Sequence, residues 1–286
     1  MTQPAGSAKR GVLVAAGLVC GIGLLLAVCA SCRSIPTDTV EPGTGHDEDR
    51  FARYCAVARA TFERQPRTIE GVTTSAKTYG DAIRIKSDDY ETLWRAARTC
   101  AWLGTYLTDD EAREAQAKDG IRYTNTALKL RPTGTEALYY HAVNSGLLGD
   151  VSHSYGLDAV ETIAEDCRAI IDSGADIDHG GAHRVYGLVL LRAPGPPTSI
   201  GSLRNARKQL REAVARAPDW PENHLYLAEA EFEWAAQKDD AASATEARER
   251  LEKYLLGEQA KAPAKAQYEF GVWKRKAQEL LEANSE

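Results

Sequence analysis

The stretch Leu203–Pro218, LRNARKQLREAVARAP, decides the fold. Its Ala206, Leu210 and Ala213 place a small, a large and a small residue on one helical stripe, and Pro218 follows as a stop. Small residues on such a stripe let two helices approach closely, and a proline, lacking an N–H, ends the second of them. Earlier in the chain the same order recurs as Gly120, Thr124, Ala127 and Pro132 within GIRYTNTALKLRP. Another copy has Ser75, Tyr79 and Ala82 before Asp88, and a weaker one has Ile163, Cys167 and Ile170 before Ala175. Ala82, Ala127, Ile170 and Ala213 are therefore equivalent positions about 43 residues apart.

Such a pattern is that of the second helix of a tetratricopeptide unit, stretched beyond the usual period of about 34 residues. The added length belongs in the connections or in longer helices. Five stretches read as helix pairs, which predicts an all-α, tetratricopeptide-like array of ten to twelve helices forming one domain over residues 50–286. Periodicity predicts a helix over Asp47–Phe62 that would cap the array, then a pair joining Ala76–Ile85 to Tyr90–Leu103. Asp109-Asp110-Glu111 opens a helix running to Pro132, since early acids suit the N-terminal dipole. Glu136–Leu148 follows, with Gly149 and Asp150 as a stop. Leu157–Ile171, His183–Leu191, Leu203–Arg216, a helix starting at Pro221, Ala241–Leu256 and Ala264–Ala283 complete the reading. Between the seventh and eighth of these helices the loop APGPPTSIGS packs three prolines and two glycines into Pro194–Gly201. A stiff loop of that kind interrupts a regular solenoid where function usually sits.

The chain has 286 residues, 43% of them hydrophobic and 27% charged, enough for a sizeable core and without the bias of a disordered polymer. Lys9 and Arg10 precede an unbroken apolar run, Gly11–Ala30. That is an export signal or an anchor spanning residues 1–31. Ala30-Ser31-Cys32 has the small-small-Cys order of a bacterial lipoprotein signal, so Cys32 is the expected lipidation site, with Cys29 as the competitor. A retained transmembrane anchor and a soluble secreted form stay open as alternatives, and all three place the repeats outside the cytoplasm, facing the periplasm. Residues 32–49, which hold RSIPTDTVEPGTGHDED, read as a flexible tether. Loss of Met1–Ser31 moves the net charge from -6 to -8. An acidic surface argues against nucleic acid. Cys55, Cys100 and Cys167 read as small buried hydrophobes, with a Cys55–Cys100 bridge as the alternative.

From Gly180 to Glu229 the run GGAHRVYGLVLLRAPGPPTSIGSLRNARKQLREAVARAPDWPENHLYLAE resembles the T-component (TatT) family of tripartite ATP-independent periplasmic (TRAP) transporters. The resemblance lies in the order of a Gly-rich turn, an Arg, a short apolar helix, an APGxP break, an SIG turn and a helix ending in APDxPEN. Gly180, Gly181, Arg184, Gly187, Ala193, Pro194, Pro197, Ser199, Ile200, Gly201, Pro218 and Asn223 carry the pattern, and Ala182 departs from it where many relatives have Pro. The resemblance implies a tetratricopeptide-like lipoprotein that partners the periplasmic substrate-binding protein of a TRAP system and helps pass a small organic ligand toward the permease.

Arg184, at the start of a short apolar helix, has the chemistry to hold a carboxylate bidentately, or else to tie the APGPP loop down through backbone carbonyls. Tyr186, Leu188 and Leu191 would line a ligand channel or serve as ordinary core; Leu188 and Leu191 share a helix face with Arg184. His179 and His183 are four apart, with Asp176 and Asp178 nearby, but Gly180 and Gly181 between them break the helix that metal spacing would need, so no metal is expected. Sequence motifs of hydrolases, phosphate loops and redox pairs do not occur, so neither catalysis nor a cofactor is expected. The five tryptophans are dispersed, which favours packing. A scaffold for protein partners without a small ligand stays open as the second reading, as does a homo-oligomer.

Overall fold

Six helices begin at a side chain that satisfies the free N–H groups of the first turn. Asp47, Thr68, Asp89, Asp109, Ser202 and Asp240 accept from the N–H groups of Arg50, Gly71, Thr92, Ala112, Asn205 and Ser243. Pro221 starts another at a position where its missing N–H is no loss. The computed structural model describes residues 33–43 and 47–285, so the expected signal segment with Cys29 and Cys32 lies outside the described residues. Among the described residues the chain is all-α, with eleven α-helices. They are α1 (Glu48–Glu63), α2 (Ile69–Ile85), α3 (Tyr90–Tyr106), α4 (Asp110–Leu130), α5 (Thr135–Val151), α6 (Gly156–Asp172), α7 (Gly181–Arg192), α8 (Leu203–Arg216), α9 (Pro221–Lys238), α10 (Ala241–Leu251) and α11 (Gln267–Ala283). A 3-10 turn, His153–Tyr155, leads into α6, and a π-helical turn, Glu252–Leu256, extends α10.

The helices form a tetratricopeptide-like array in which each packs on its neighbours in the chain. Ala82, Ala127, Ile170 and Ala213 are at most 1% exposed and sit near the ends of α2, α4, α6 and α8. At three of them the carbonyl also accepts the N–H that closes the helix, from Lys86, Arg131 and Ala217. The repeat phase thus marks the spot where each second helix ends against its partner. Pairing starts one helix earlier than the sequence suggested. α1 packs mainly on α2 as the first pair and is not a cap, because α2 starts at Ile69, seven residues ahead of the expected Ala76, where Thr68 supplies the cap. α11 is left over as the terminal helix.

Gly149 is not a stop. α5 runs through it to Val151, and a Cβ there would meet the Ala159 Cβ at 2.9 Å, so the glycine serves the close approach of α5 and α6. Cys55, Cys100 and Cys167 are free; the last two are buried, and the Cys55 Sγ lies 3.2 Å from the Thr92 hydroxyl.

Residues 33–43 correct the expectation of a flexible tether. They run as an extended strap along α4. The Arg33 N–H donates to the Ser154 carbonyl at 3.0 Å, the Ile35 N–H to the Asp158 carboxylate, and the Val40 N–H to Thr126 Oγ1 at 2.8 Å. Asn125 Nδ2 donates to the carbonyls of Pro36 and Asp38, and the Gly43 N–H to Ser87 Oγ. Ile35 is 7% exposed, among Ile121, Tyr155 and Ala159. Polar composition left room for this, because most of the partners are side chains far along the chain.

The array curves until its ends meet. Arg67, between α1 and α2, donates through Nη1 to the Lys265 carbonyl at 2.8 Å and pairs with Glu269 of α11. Trp102 of α3 donates to the same Glu269 oxygen at 2.7 Å, and its ring packs on Tyr106 and Tyr268. This seam joins residues 202 positions apart.

Candidate functional site

The short helix α7 is positioned by the turn before it. Asp178, His179 and Gly180 take left-handed φ values of 48°, 57° and 78°. Such backbone is unfavourable for the first two and persists only where surroundings fix it. Here Arg184 and Asn223 fix it: Arg184 Nη1 donates to the Asp178 carbonyl at 3.1 Å, and Asn223 Nδ2 donates to the His179 carbonyl at 2.9 Å and the Ala213 carbonyl at 3.0 Å. Gly180 is further required because a Cβ would sit 2.8 Å from the Ala213 oxygen. Gly181 admits the Tyr139 ring, Gly187 admits Leu210, and Gly201 lies against the Ala193 carbonyl. These four glycines are thus places where α7 or the loop after it comes close to α5, α8 or its own backbone.

Arg184 itself is 3% exposed. Nη1 also donates to Asn223 Oδ1 at 2.9 Å, Nη2 donates to Asp178 Oδ2 at 2.5 Å and to the Tyr139 hydroxyl at 3.2 Å, and Nε lies 3.1 Å from Glu222 Oε2. No edge of the guanidinium is left for an incoming carboxylate. The carbonyls it ties belong to the turn at Asp178 and His179, whereas the APGPP loop holds itself together by Gly201 N–H to Pro194 O and Ser202 N–H to Leu190 O, with its tip at Gly195–Thr198 exposed. Pro197 is in that tip; Pro194, Ser199 and Ile200 are half-buried at its base.

Two carboxylates compete for this one cation. Burial works to raise both, but Asp178 also receives the Tyr139 hydroxyl and the Arg184 guanidinium, and its carboxyl is held below the ordinary range. Glu222, desolvated and beside the Asp178 charge, is pushed above it. Burial would lower Arg184, and the charge of Glu222 foremost, with Tyr139 and Asp178, more than offsets it.

Four phenols lie close enough to this pair to feel its charges. Burial raises the phenols of Tyr106, Tyr139, Tyr140 and Tyr226, and Tyr106 also feels the charges of Glu222 and Glu269. Tyr140 stacks on Trp94 and meets Tyr139 edge-on. Arg192, at the far end of α7, has a side chain that is 55% exposed, and the charge of Glu229 helps keep its guanidinium protonated against desolvation. It pairs loosely with Glu229 at 3.5 Å and lies 5.9 Å from the Tyr226 ring. Leu188, half-buried, falls between Arg184 and Arg192 on the helix. Leu191 and Tyr226 pack in the α7–α8–α9 core, and Tyr186 packs between α6 and α7 with Arg168 over its ring.

His179 stacks on Trp220 at 3.8 Å, and His183 Nδ1 faces Gln209 Oε1 at 2.7 Å, so the two have separate partners. Trp220 in turn meets Trp273 edge-on at 5.6 Å, which modifies the dispersed picture of the tryptophans. Tyr106, Tyr140, Tyr226, Glu222 and Arg192 escaped the sequence reading. Only the doublet Tyr139-Tyr140 and the Arg192 that follows the apolar helix offered a signal.

No family model matches the chain, and no curated protein matches it either. Solved structures of similar shape include MamA, residues 41 to the end, from Desulfovibrio magneticus RS-1, at 17% identity and a TM-score of 0.47 over 72% of this chain and 96% of that one. A MamA RS-1 double mutant gives 17% and 0.47 over 73% and 96%, and another MamA crystal structure gives 18% and 0.47 over 75% and 99%.

Proposed function

We propose that this chain is an extracytoplasmic, lipid-anchored accessory protein of a TRAP-type transport system, docking the periplasmic substrate-binding protein and holding a small organic anion within its ring of helices. The seam between Arg67, Trp102 and Glu269 carries the reading. An open tetratricopeptide array offers a long concave groove to an extended peptide. Closing the array replaces that groove with an inner face of phenols and half-paired charges, suited to a small amphipathic anion. Arg192 takes the part expected of Arg184, since its guanidinium is accessible and its bond to Glu229 is weak. Further support comes from the motif order over Gly180–Glu229 and from the Ala30-Ser31-Cys32 signal.

Native mass spectrometry of the full-length protein, released gently from the membranes of its own host, tests this. A small-molecule adduct in the wild type that is lost in Arg192→Ala, with helicity unchanged, is the expected result. A clean apo mass in the wild type would remove the ligand from the proposal. The second reading, a scaffold binding protein partners only, gains from one observation: Arg184 spends all its donors inside the chain.

A further inference from the structure

The strap leaves no slack between the folded body and whatever holds the N-terminus. Arg33 is already fastened to the Ser154 carbonyl, and Ile35 is buried two residues later. The apolar run ends at Ala30 and the lipidation candidate is Cys32. An extended residue reaches at most about 3.6 Å, so even an anchor ending at Ala30 lies within roughly 11 Å of Arg33. We infer that the body sits edge-on against the bilayer, with the 3-10 turn and the first turn of α6 as its lipid-contacting edge and Leu157 entering the headgroup region. The inference rests on the anchoring part of the reading above and is independent of any transporter.

Exposure agrees with that placement. Three large apolar side chains stand well exposed among the described residues: Val57, Leu130 and Leu157. Leu157, at 50%, is the one beside the start of the strap, between Tyr155 of the turn and Asp158, which accepts from Ile35, whereas Leu130 lies beside the strap's middle near Thr39. Apolar side chains at such an edge are stabilised in the interface, not in water. Charge gives little help, because Arg33 and Lys118 are matched by Glu114, Asp158 and Glu161 nearby, and Lys118 already pairs with Glu114 at 2.6 Å. Contact is therefore set by the short leash and by Leu157.

The test uses the full-length chain in bacterial membranes, with a photoreactive benzophenone amino acid in place of Leu157 or, separately, of Val57. Illumination is expected to yield lipid adducts from position 157 and none from 57, with no loss in high salt. In the double variant Ile35→Asp with Asp158→Ala, which removes both the buried side chain and the acceptor that hold the start of the strap and so lengthens the leash, adducts at 157 are expected to fall while circular dichroism stays constant. Equal labelling at both positions in membrane-bound protein would overturn the edge-on placement and leave the anchor standing. Adducts that vanish in high salt would overturn the leash in favour of charge attraction. A chain recovered only in the soluble fraction would overturn the anchor, and this inference with it.

Discussion

Arg184 and Asn223 hold each other across α7 and α9: the guanidinium donates to Asn223 Oδ1 at 2.9 Å, while the amide nitrogen returns to the carbonyls of His179 and Ala213. Together they pin a turn whose three left-handed residues would otherwise relax.

Arg184→Ala is accordingly expected to cost about 3–5 kcal/mol, as for a buried ion pair losing one partner, since it strands Asp178 and Glu222 without their cation. Arg184→Lys should recover only part, because an ammonium cannot reach Asn223, Tyr139 and the carbonyls at once. Urea unfolding of both variants measures this. Wild-type stability in Arg184→Ala would show that the network is dispensable.

Asp178 and Glu222 should leave opposite marks on stability against pH. Asp178, held low, binds fewer protons folded than unfolded, so its contribution is present above its ordinary pKa and lost as pH falls through the folded value. Glu222, pushed up, binds more protons folded, so its contribution is present below the ordinary 4.5 and lost as pH rises through the folded value. Glu222→Gln should therefore gain on wild type between acid and neutral pH, and Asp178→Asn should lose ground over its own window. Denaturant midpoints taken across that range decide both.

His224, 1% exposed, is kept neutral by burial, with its pKa lowered to about 4. Arg250 donates to Nδ1 at 3.1 Å, so the ring proton is on Nε2, which donates to the Pro218 carbonyl at 2.6 Å; the ring also stacks on Tyr254. The unfolded chain takes up this proton first, so stability is full above the ordinary 6.5 and lost as pH falls toward 4. At 1.36 kcal/mol per pKa unit the loss is about 3 kcal/mol. His224→Gln, which does not titrate, should flatten that part of the curve; an unchanged slope would assign it to other groups.

Glu269→Ala removes the acceptor shared by Arg67 and Trp102. Breaking a buried pair of this kind costs about 3–5 kcal/mol, and here the seam should part as well. Small-angle scattering is expected to show a larger radius of gyration with helix content preserved. An unchanged radius would mean that the aromatic contacts of Trp102, Tyr106 and Tyr268 hold the ends without it.

Much of the fold could be read because its signals are local. Ala206, Leu210, Ala213 and Pro218 carry the repeat, and Asp109, Ser202 and Pro221 mark starts through chemistry confined to one turn. Gly149 misled, since a glycine at a helix end and one admitting a neighbouring helix look alike in sequence. Strap and seam were hidden for a common reason. Ile35 and Val40 are isolated apolar residues in a polar run, and Glu269 is one acid among many in a charged helix; what defines each is a partner 86 or more positions away. Arg184 drew notice for its place beside the loop, but its role depends on Asn223 and Glu222, thirty-eight or more residues on, which no spacing within α7 could reveal.

A linear solenoid is weakest at its ends, where the terminal unit has one neighbour, and it frays from there inward. Joining the loop before α2 to α11 turns a line into a loop in which every hairpin has two neighbours. Opening must then begin with rupture at the seam or in the middle, so the chain gains a cooperativity that its repeats, counted one by one, do not supply. Any partner that binds across the seam would hold a lever on the whole ring, able to loosen or lock every hairpin by acting on one contact.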